Sequence, residues 1–177
     1  SREKEMLNHK EIELLIKEKG LVKGYIDLDK QLTPNGFDMT AAKIYAFKGQ
    51  GAVDFSNKER KMPECEELVP VKAAADDKYG WWDLPKGAYK VMTNETVNMP
   101  PDMTALAFTR TTLLRMGAFT QNGVWDAGFS GKSEFILVVE NPAGIRIKQN
   151  ARVVQLVFII ITGVEKLYNG IFQNKGL

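Results

Sequence analysis

Apolar residues recur at helical spacing once near the start of the chain, at Ile12, Leu15 and Ile16, behind Asn8 and ahead of Lys17-Glu18-Lys19-Gly20. Asn caps helix starts well and Gly ends them, so the pattern predicts one short amphipathic helix. Beyond it the period changes. Runs rich in β-branched and aromatic residues, Ile44-Tyr45-Ala46-Phe47, Tyr89-Lys90-Val91-Met92, Leu106-Ala107-Phe108, Phe135-Ile136-Leu137-Val138-Val139 and the stretch 153–161, are separated by clusters of Gly, Pro, Asn and Asp. Such spacing predicts a mainly β barrel or sandwich. Residues 56–79 are rich in charge and carry no periodic segment except residues 68–71, which predicts a long excursion over the surface.

At 177 residues and 44% hydrophobic, the chain is long enough to build one full core, and we expect a single domain over 1–177, with a helical region at 1–20 and a tail at 163–177. Lys plus Arg number 24 against 22 for Asp plus Glu, and the basic residues are scattered, which argues against a nucleic-acid polymer as partner. An anionic ligand would instead be small and locally held. Cys65 is the only cysteine, so an intramolecular disulfide and a cysteine-rich zinc site are both excluded. Ser1-Arg2-Glu3-Lys4-Glu5 lacks the apolar core of a signal peptide, and Gln155 interrupts the longest apolar stretch. The expectation is a cytoplasmic chain with no membrane span and no evident protein partner. His9 is the only histidine and precedes the predicted helix, a poor place for nucleophile-histidine machinery.

Four segments carry residues that are unusual on a plain β scaffold. In Thr109-Arg110-Thr111-Thr112-Leu113-Leu114-Arg115-Met116-Gly117 a strand ends in two hydroxyls flanked by two arginines. Guanidinium forks, hydroxyls and turn N–H groups make a phosphate cradle, or the arginines form surface ion pairs. Asn122-Gly123-Val124-Trp125-Asp126-Ala127-Gly128-Phe129-Ser130-Gly131 sets three glycines around one acid and two aromatics. Asp126 there either faces a ligand beside Phe129 or caps a turn, and Phe129 is either pocket wall or core. Gln155 puts one amide in an apolar strand, where burial demands hydrogen-bond partners; it holds a water or marks an edge. Asp38, just after Pro34-Asn35-Gly36, either caps the turn or holds a hydrated Mg²⁺ on a triphosphate, since Mg²⁺ keeps most of its waters.

Taken in order, Pro34-Asn35-Gly36-Phe37-Asp38-Met39, Arg110-Thr111-Thr112-Leu113-Leu114-Arg115-Met116-Gly117, Gly123-Val124-Trp125-Asp126-Ala127-Gly128-Phe129-Ser130-Gly131 and Arg152-Val153-Val154-Gln155-Leu156 resemble the four motifs of the dUTPase and dCTP deaminase superfamily, particularly its archaeal-type dUTP diphosphatases. The resemblance implies a β-clip, a distorted jelly-roll-like barrel, assembled as a homotrimer with active sites between subunits. It implies dUTP as substrate and Mg²⁺ as cofactor, with Asp126 as base for the attacking water and Gln155 beside it near the phosphates. Arg110, Thr111, Thr112 and Arg115 would bind phosphates, and Asp38 would hold the metal through water. Phe129 would pack on the deoxyribose, leaving neither room nor partner for a ribose hydroxyl. Backbone groups of Phe119, Thr120, Gln121 and Asn122 are candidates for reading the base. Phe172 and Lys175, the aromatic and cationic groups nearest the end, are expected to cover the base and approach the phosphates.

In the deaminase branch a catalytic glutamate lies ten positions beyond the aspartate matched by Asp126. Ile136 occupies that position and has no group to shuttle a proton. Glu134 and Glu140 alternate onto the same strand face, about 7 and 13 Å away along the strand. This favours a dUTP diphosphatase over a dCTP deaminase, a bifunctional enzyme, or a non-catalytic nucleotide binder of the same fold.

Overall fold

The computed structural model describes residues 6–162 and 165–177. Residues 1–5, read as lacking a signal peptide, and residues 163 and 164, where the tail was expected to start, lie outside the described residues.

The expected helix forms at α1 (His9–Lys19). The Asn8 side chain accepts from the Glu11 N–H at 3.0 Å, and the Glu11 carboxylate accepts from the Asn8 N–H at 3.0 Å, a reciprocal capping box. Gly20 closes the helix in the left-handed region at φ 64°. Ile12 and Ile16 are buried against the sheet.

The remaining elements are β1 (Val22–Lys23), α2 (Leu28–Gln31), β2 (Leu32–Thr33), β3 (Gly36–Phe47), β4 (Cys65–Glu67), β5 (Trp81–Leu84), β6 (Gly87–Asn98), β7 (Met103–Thr109), α3 (Thr111–Arg115), β8 (Ala118–Gln121), β9 (Ser130–Val139), β10 (Ile145–Lys148) and β11 (Arg152–Ile160). The strands form a nearly closed antiparallel barrel-like sheet in the order β7-β11-β3-β6-β9-β8, while β5 and β10 make a separate ribbon. Along β9, Phe135, Leu137 and Val139 point into the core, so Glu134 and Ile136 share the outward face. β11 is paired on both edges, with β7 and β3, which explains its near-continuous apolar run.

The excursion between β3 and β5 behaves as expected except for its strand. The strand forms at Cys65–Glu67 against Tyr45, Ala46 and Phe47, whereas residues 68–71 form no strand and make only isolated contacts, Leu68 N–H donating to the Ile44 carbonyl and Val71 exchanging backbone hydrogen bonds with Trp81, each at 2.8 Å. Pro70 has no N–H to donate, and Val69 and Val71 are 82% and 67% exposed, so that apolar segment contributes only Leu68 to the core.

Beneath the sheet, Glu95 is fully buried and accepts from Gln31 Nε2 at 2.7 Å, the Thr40 N–H at 3.0 Å and Thr40 Oγ1 at 2.5 Å. Burial pushes its carboxyl above the usual glutamate range, although these donors pull it back. Folding therefore favours protonated Glu95. Its contribution to stability is complete below the unfolded-state pKa and declines as pH rises through the folded-state value. Glu95→Gln is expected to flatten the dependence of urea-derived stability on pH between mildly acidic and neutral conditions. Parallel curves for wild type and variant would remove Glu95 as its source.

Among the described residues, no helix is long and apolar enough to cross a membrane.

Candidate functional site

Asp126 owes its position to its neighbours. Trp125 is buried, exchanges backbone hydrogen bonds with Ala105 of β7 at 3.1 and 3.2 Å, and donates from its indole to Ser133 Oγ at 2.8 Å. Gly128 then turns the chain at φ 84°, and the Phe129 N–H returns to the Asp126 carbonyl at 3.0 Å. An exposed Asp126 is thus carried on an anchored turn at the wall of a cavity of about 470 Å³. Phe129 satisfies both of its readings, being 9% exposed, packed edge-on against Tyr168 at 5.4 Å and part of the cavity wall.

The outward face of β9 forms another wall, with Glu134 and Ile136 both lining the cavity. Glu134 Oε2 pairs with Lys175 at 3.0 Å, and Lys90 stands 3.5 Å from Oε1. Glu140 does not line the cavity and pairs with Lys86 at 3.1 Å. The acids facing this space are therefore Asp126 and Glu134, with an aliphatic side chain at position 136. Phe172 and Lys175 line the same cavity, the ammonium lying 5.5 Å from the Phe172 ring centre. Phe47, Met62 and Cys65, from the end of β3 and the excursion, complete the wall; sequence reasoning assigned them no part.

A second cluster sits where β3, β7 and β11 run side by side. Gln155 lies opposite Asp38 on one edge and Phe108 on the other. The carboxylate of Asp38, only 4% exposed, takes Arg110 Nε at 3.1 Å and Arg152 Nη1 at 3.3 Å on the same oxygen. Burial pushes its carboxyl up, and the two guanidinium charges pull it down. Arg110 also donates to the Arg152 carbonyl at 3.1 Å, Arg152 to the Lys30 carbonyl at 2.7 Å, and Gln155 Nε2 to Thr33 Oγ1 at 2.7 Å. Arg152 opens the fourth motif, and sequence reasoning missed its part here, because its pairing opposite Thr40, beside Asp38, comes from strand register.

After β7 the chain enters the short helix α3 instead of a plain turn, with Arg110 as its N-cap residue. Thr111, Thr112 and Arg115 are exposed on it, and the N–H groups of Thr111 and Thr112, at its first turn, have no intrahelical acceptor. The base-reading candidates fall on β8 and just after it. Thr120 is buried and bonded to Thr109, Asn122 donates weakly to the Ala107 carbonyl at 3.4 Å, and Phe119 and Gln121 are exposed. The cavity wall begins one residue later, at Gly123, so these four lie beside the cavity rather than in it.

The two clusters do not meet within one chain. None of Asp38, Arg110, Thr111, Thr112, Arg115 or Gln155 lines the cavity. Ala105, which pairs with Trp125, lies five residues before Arg110, about 16 Å along an extended strand. Nor do the described residues include a group of three or more His, Cys, Asp or Glu side chains that could hold a metal by themselves.

A barrel-like antiparallel fold, with an aspartate-walled cavity on one side and an arginine–carboxylate cluster at the far end of a strand, defines the class. The chain belongs to the dCTP deaminase-like family, which it matches over residues 6–161. Within that family it is 44% identical over 172 residues to a probable deoxyuridine 5'-triphosphate nucleotidohydrolase of Methanosarcina mazei, covering 96% of this chain and 97% of that protein. It is 41% identical to the Archaeoglobus fulgidus protein of the same description, covering 97% and 98% of the two chains. Among solved structures, a 2'-deoxycytidine 5'-triphosphate deaminase from Agrobacterium tumefaciens superposes with a TM-score of 0.63 at 20% identity, covering 90% of this chain. The chain spans about half the length of that deaminase, covering 50% of it, and the likeness concerns the fold.

Proposed function

We propose that this chain is a dUTP diphosphatase, converting dUTP and water to dUMP and pyrophosphate. The observation that carries the reading is the composition of the cavity wall, which has Asp126 available as a base and Ile136 where a deaminase places its proton-shuttling glutamate. Relatives 41% to 44% identical over nearly the whole chain are described as nucleotidohydrolases of deoxyuridine triphosphate, which supports the same reading.

In this mechanism Asp126 accepts a proton as a water oxygen bonds to the α-phosphorus and the α–β bridging P–O bond breaks. Such base catalysis contributes roughly 10²- to 10⁴-fold. Phe129 packs on the deoxyribose, and Phe172 closes over the base. Arg110, Thr111, Thr112 and Arg115, with Lys175, receive the charge that develops on the leaving pyrophosphate, and Gln155 lies near the phosphates. Asp38 is the carboxylate among these groups and would hold a hydrated Mg²⁺ through water, the triphosphate supplying other ligands; the metal would reduce the charge repelling nucleophile and leaving group.

Because cavity and arginine cluster lie apart in one chain, the complete site would form between subunits of a homotrimer. Exposed Phe108, Leu114, Met116 and Phe119, at 61%, 52%, 42% and 39%, surround the α3 region and supply apolar surface for such a contact. The core draws on α1 through β11, which supports one domain, and the free thiol of Cys65 suits the cytoplasm.

Incubation with Mg²⁺ and, separately, dUTP, dCTP, dTTP, UTP and dATP, with products resolved by chromatography, tests the assignment. Rapid dUMP and pyrophosphate from dUTP, with dCTP intact, is the expected result. Uracil nucleotides arising from dCTP would establish the deaminase branch, and five unreacted nucleotides would overturn the hydrolase reading. Ile136→Glu is expected to yield no deamination of dCTP, since a lone carboxylate lacks the shell that orients water and ring.

A further inference from the structure

The turn that carries Asp126 and Phe129 is held largely by the end of its own chain. Five successive carbonyls, those of residues 126–130, each accept a hydrogen bond. The Asp126 carbonyl takes the Phe129 N–H within the turn, and the Phe129 carbonyl takes Met99 N–H at 2.7 Å. The other three are served by the tail: Ala127 by Tyr168 N–H at 2.9 Å, Gly128 by Gln173 Nε2 at 3.0 Å and Ser130 by Asn174 N–H at 2.6 Å.

Gln173 differs from the other tail residues because its side chain makes the contact twice. Its Oε1 accepts from the Ser130 N–H at 2.9 Å while its Nε2 donates to the Gly128 carbonyl, so one planar amide bridges the turn as a neighbouring strand would. Gly128 takes a left-handed φ of 84° and has no side chain of its own to restrict the turn. We infer that Gln173 is a positioning residue for the hydrolysis, an amide splint that fixes the turn carrying Asp126 and Phe129. The inference rests on Asp126 being the base. A base displaced by a fraction of an ångström to an ångström loses its line to the water, whereas Arg110, Thr111, Thr112, Arg115 and Gln155 lie outside this cavity and are untouched.

Three variants and one exchange measurement test it. Gln173→Ala is expected to lower kcat by about tenfold or more with KM changed less than about threefold. Gln173→Glu keeps an acceptor for the Ser130 N–H but sets a carboxylate oxygen against the Gly128 carbonyl; protonation restores the donor. Its activity relative to wild type is expected to climb as pH falls, and taking the ratio at each pH removes effects common to both proteins, whose charged groups around this turn, Asp126, Lys132, Glu134 and Lys175, are the same. Gln173→Asn, one methylene shorter, is expected to show no such recovery.

Hydrogen exchange at the Ser130 amide is expected to accelerate in Gln173→Ala. Unchanged exchange overturns the splint irrespective of catalysis. An unchanged kcat in Gln173→Ala, with Asp126→Asn inactive, overturns the positioning role. If Asp126→Asn were itself fully active, the base assignment would have failed, and the catalytic part of the inference with it, while exchange at Ser130 would still report whether the splint exists.

Discussion

Asp126→Asn is expected to retain the fold and bind nucleotide while losing turnover by at least about 10²-fold. The substitution is nearly isosteric, and the side chain it changes is exposed at the cavity wall, so no buried group is left unpaired. The turn beneath it is maintained by backbone hydrogen bonds, by the Gln173 side chain and by the buried Trp125, none of which the substitution disturbs. What disappears is the proton acceptor, since an amide orients a water without taking its proton. Single-turnover measurement of dUMP release, alongside dUTP affinity, separates the two effects. A rate equal to wild type would remove Asp126 from the base role.

Mixed oligomers offer the second large effect. Arg110→Gln keeps a neutral donor beside Asp38, whose remaining partner Arg152 still supplies charge, so folding is expected to survive while activity falls by about 10²-fold. Neither Arg110→Gln nor Asp126→Asn alone would then turn over dUTP at an appreciable rate. In oligomers assembled from equal amounts of the two variants, a site drawing its base from one chain and its arginine from another is intact whenever each chain supplies its unaltered half. Random assembly makes about one quarter of the sites intact. Recovery to about that fraction of wild-type activity is expected in co-expressed, doubly tagged protein. No recovery at all would mean that both residues of a working site come from one chain.

Lys175 shows how a role read from position alone takes a different setting in the fold. As the cation nearest the chain end it is a candidate for the phosphates, and in the structure its ammonium lies against Glu134 within the cavity. An incoming triphosphate would compete with that carboxylate for it. The candidate base readers show a different limit. Residues 119–122 and the cavity wall that starts at Gly123 are adjacent in sequence, and only the pairing of β8 with β9 decides which of them faces the open space.

The sequence by itself determined the features that depend on near neighbours. The α1 helix was legible at both ends because Asn8 and Gly20 each act on the turn beside them, although the reciprocal bond from Glu11 was not read. The five apolar runs named from β-rich composition all lie within or overlap strands, because alternation and turn residues are local signals. The absence of a carboxylate at position 136 was also legible, being a matter of counting. Tertiary structure alone decided that Asp38 lies between Arg110 and Arg152, the latter 114 residues away in the chain, that a carboxylate two residues from Ile136 is held by two lysines, and that Gln173 reaches back to Gly128. These contacts follow from strand register and from the path of the tail, which are set by burial summed over the whole sheet. A shift of one residue in a pairing would turn the side chains on that strand to the opposite face, and no short stretch of sequence records which register wins.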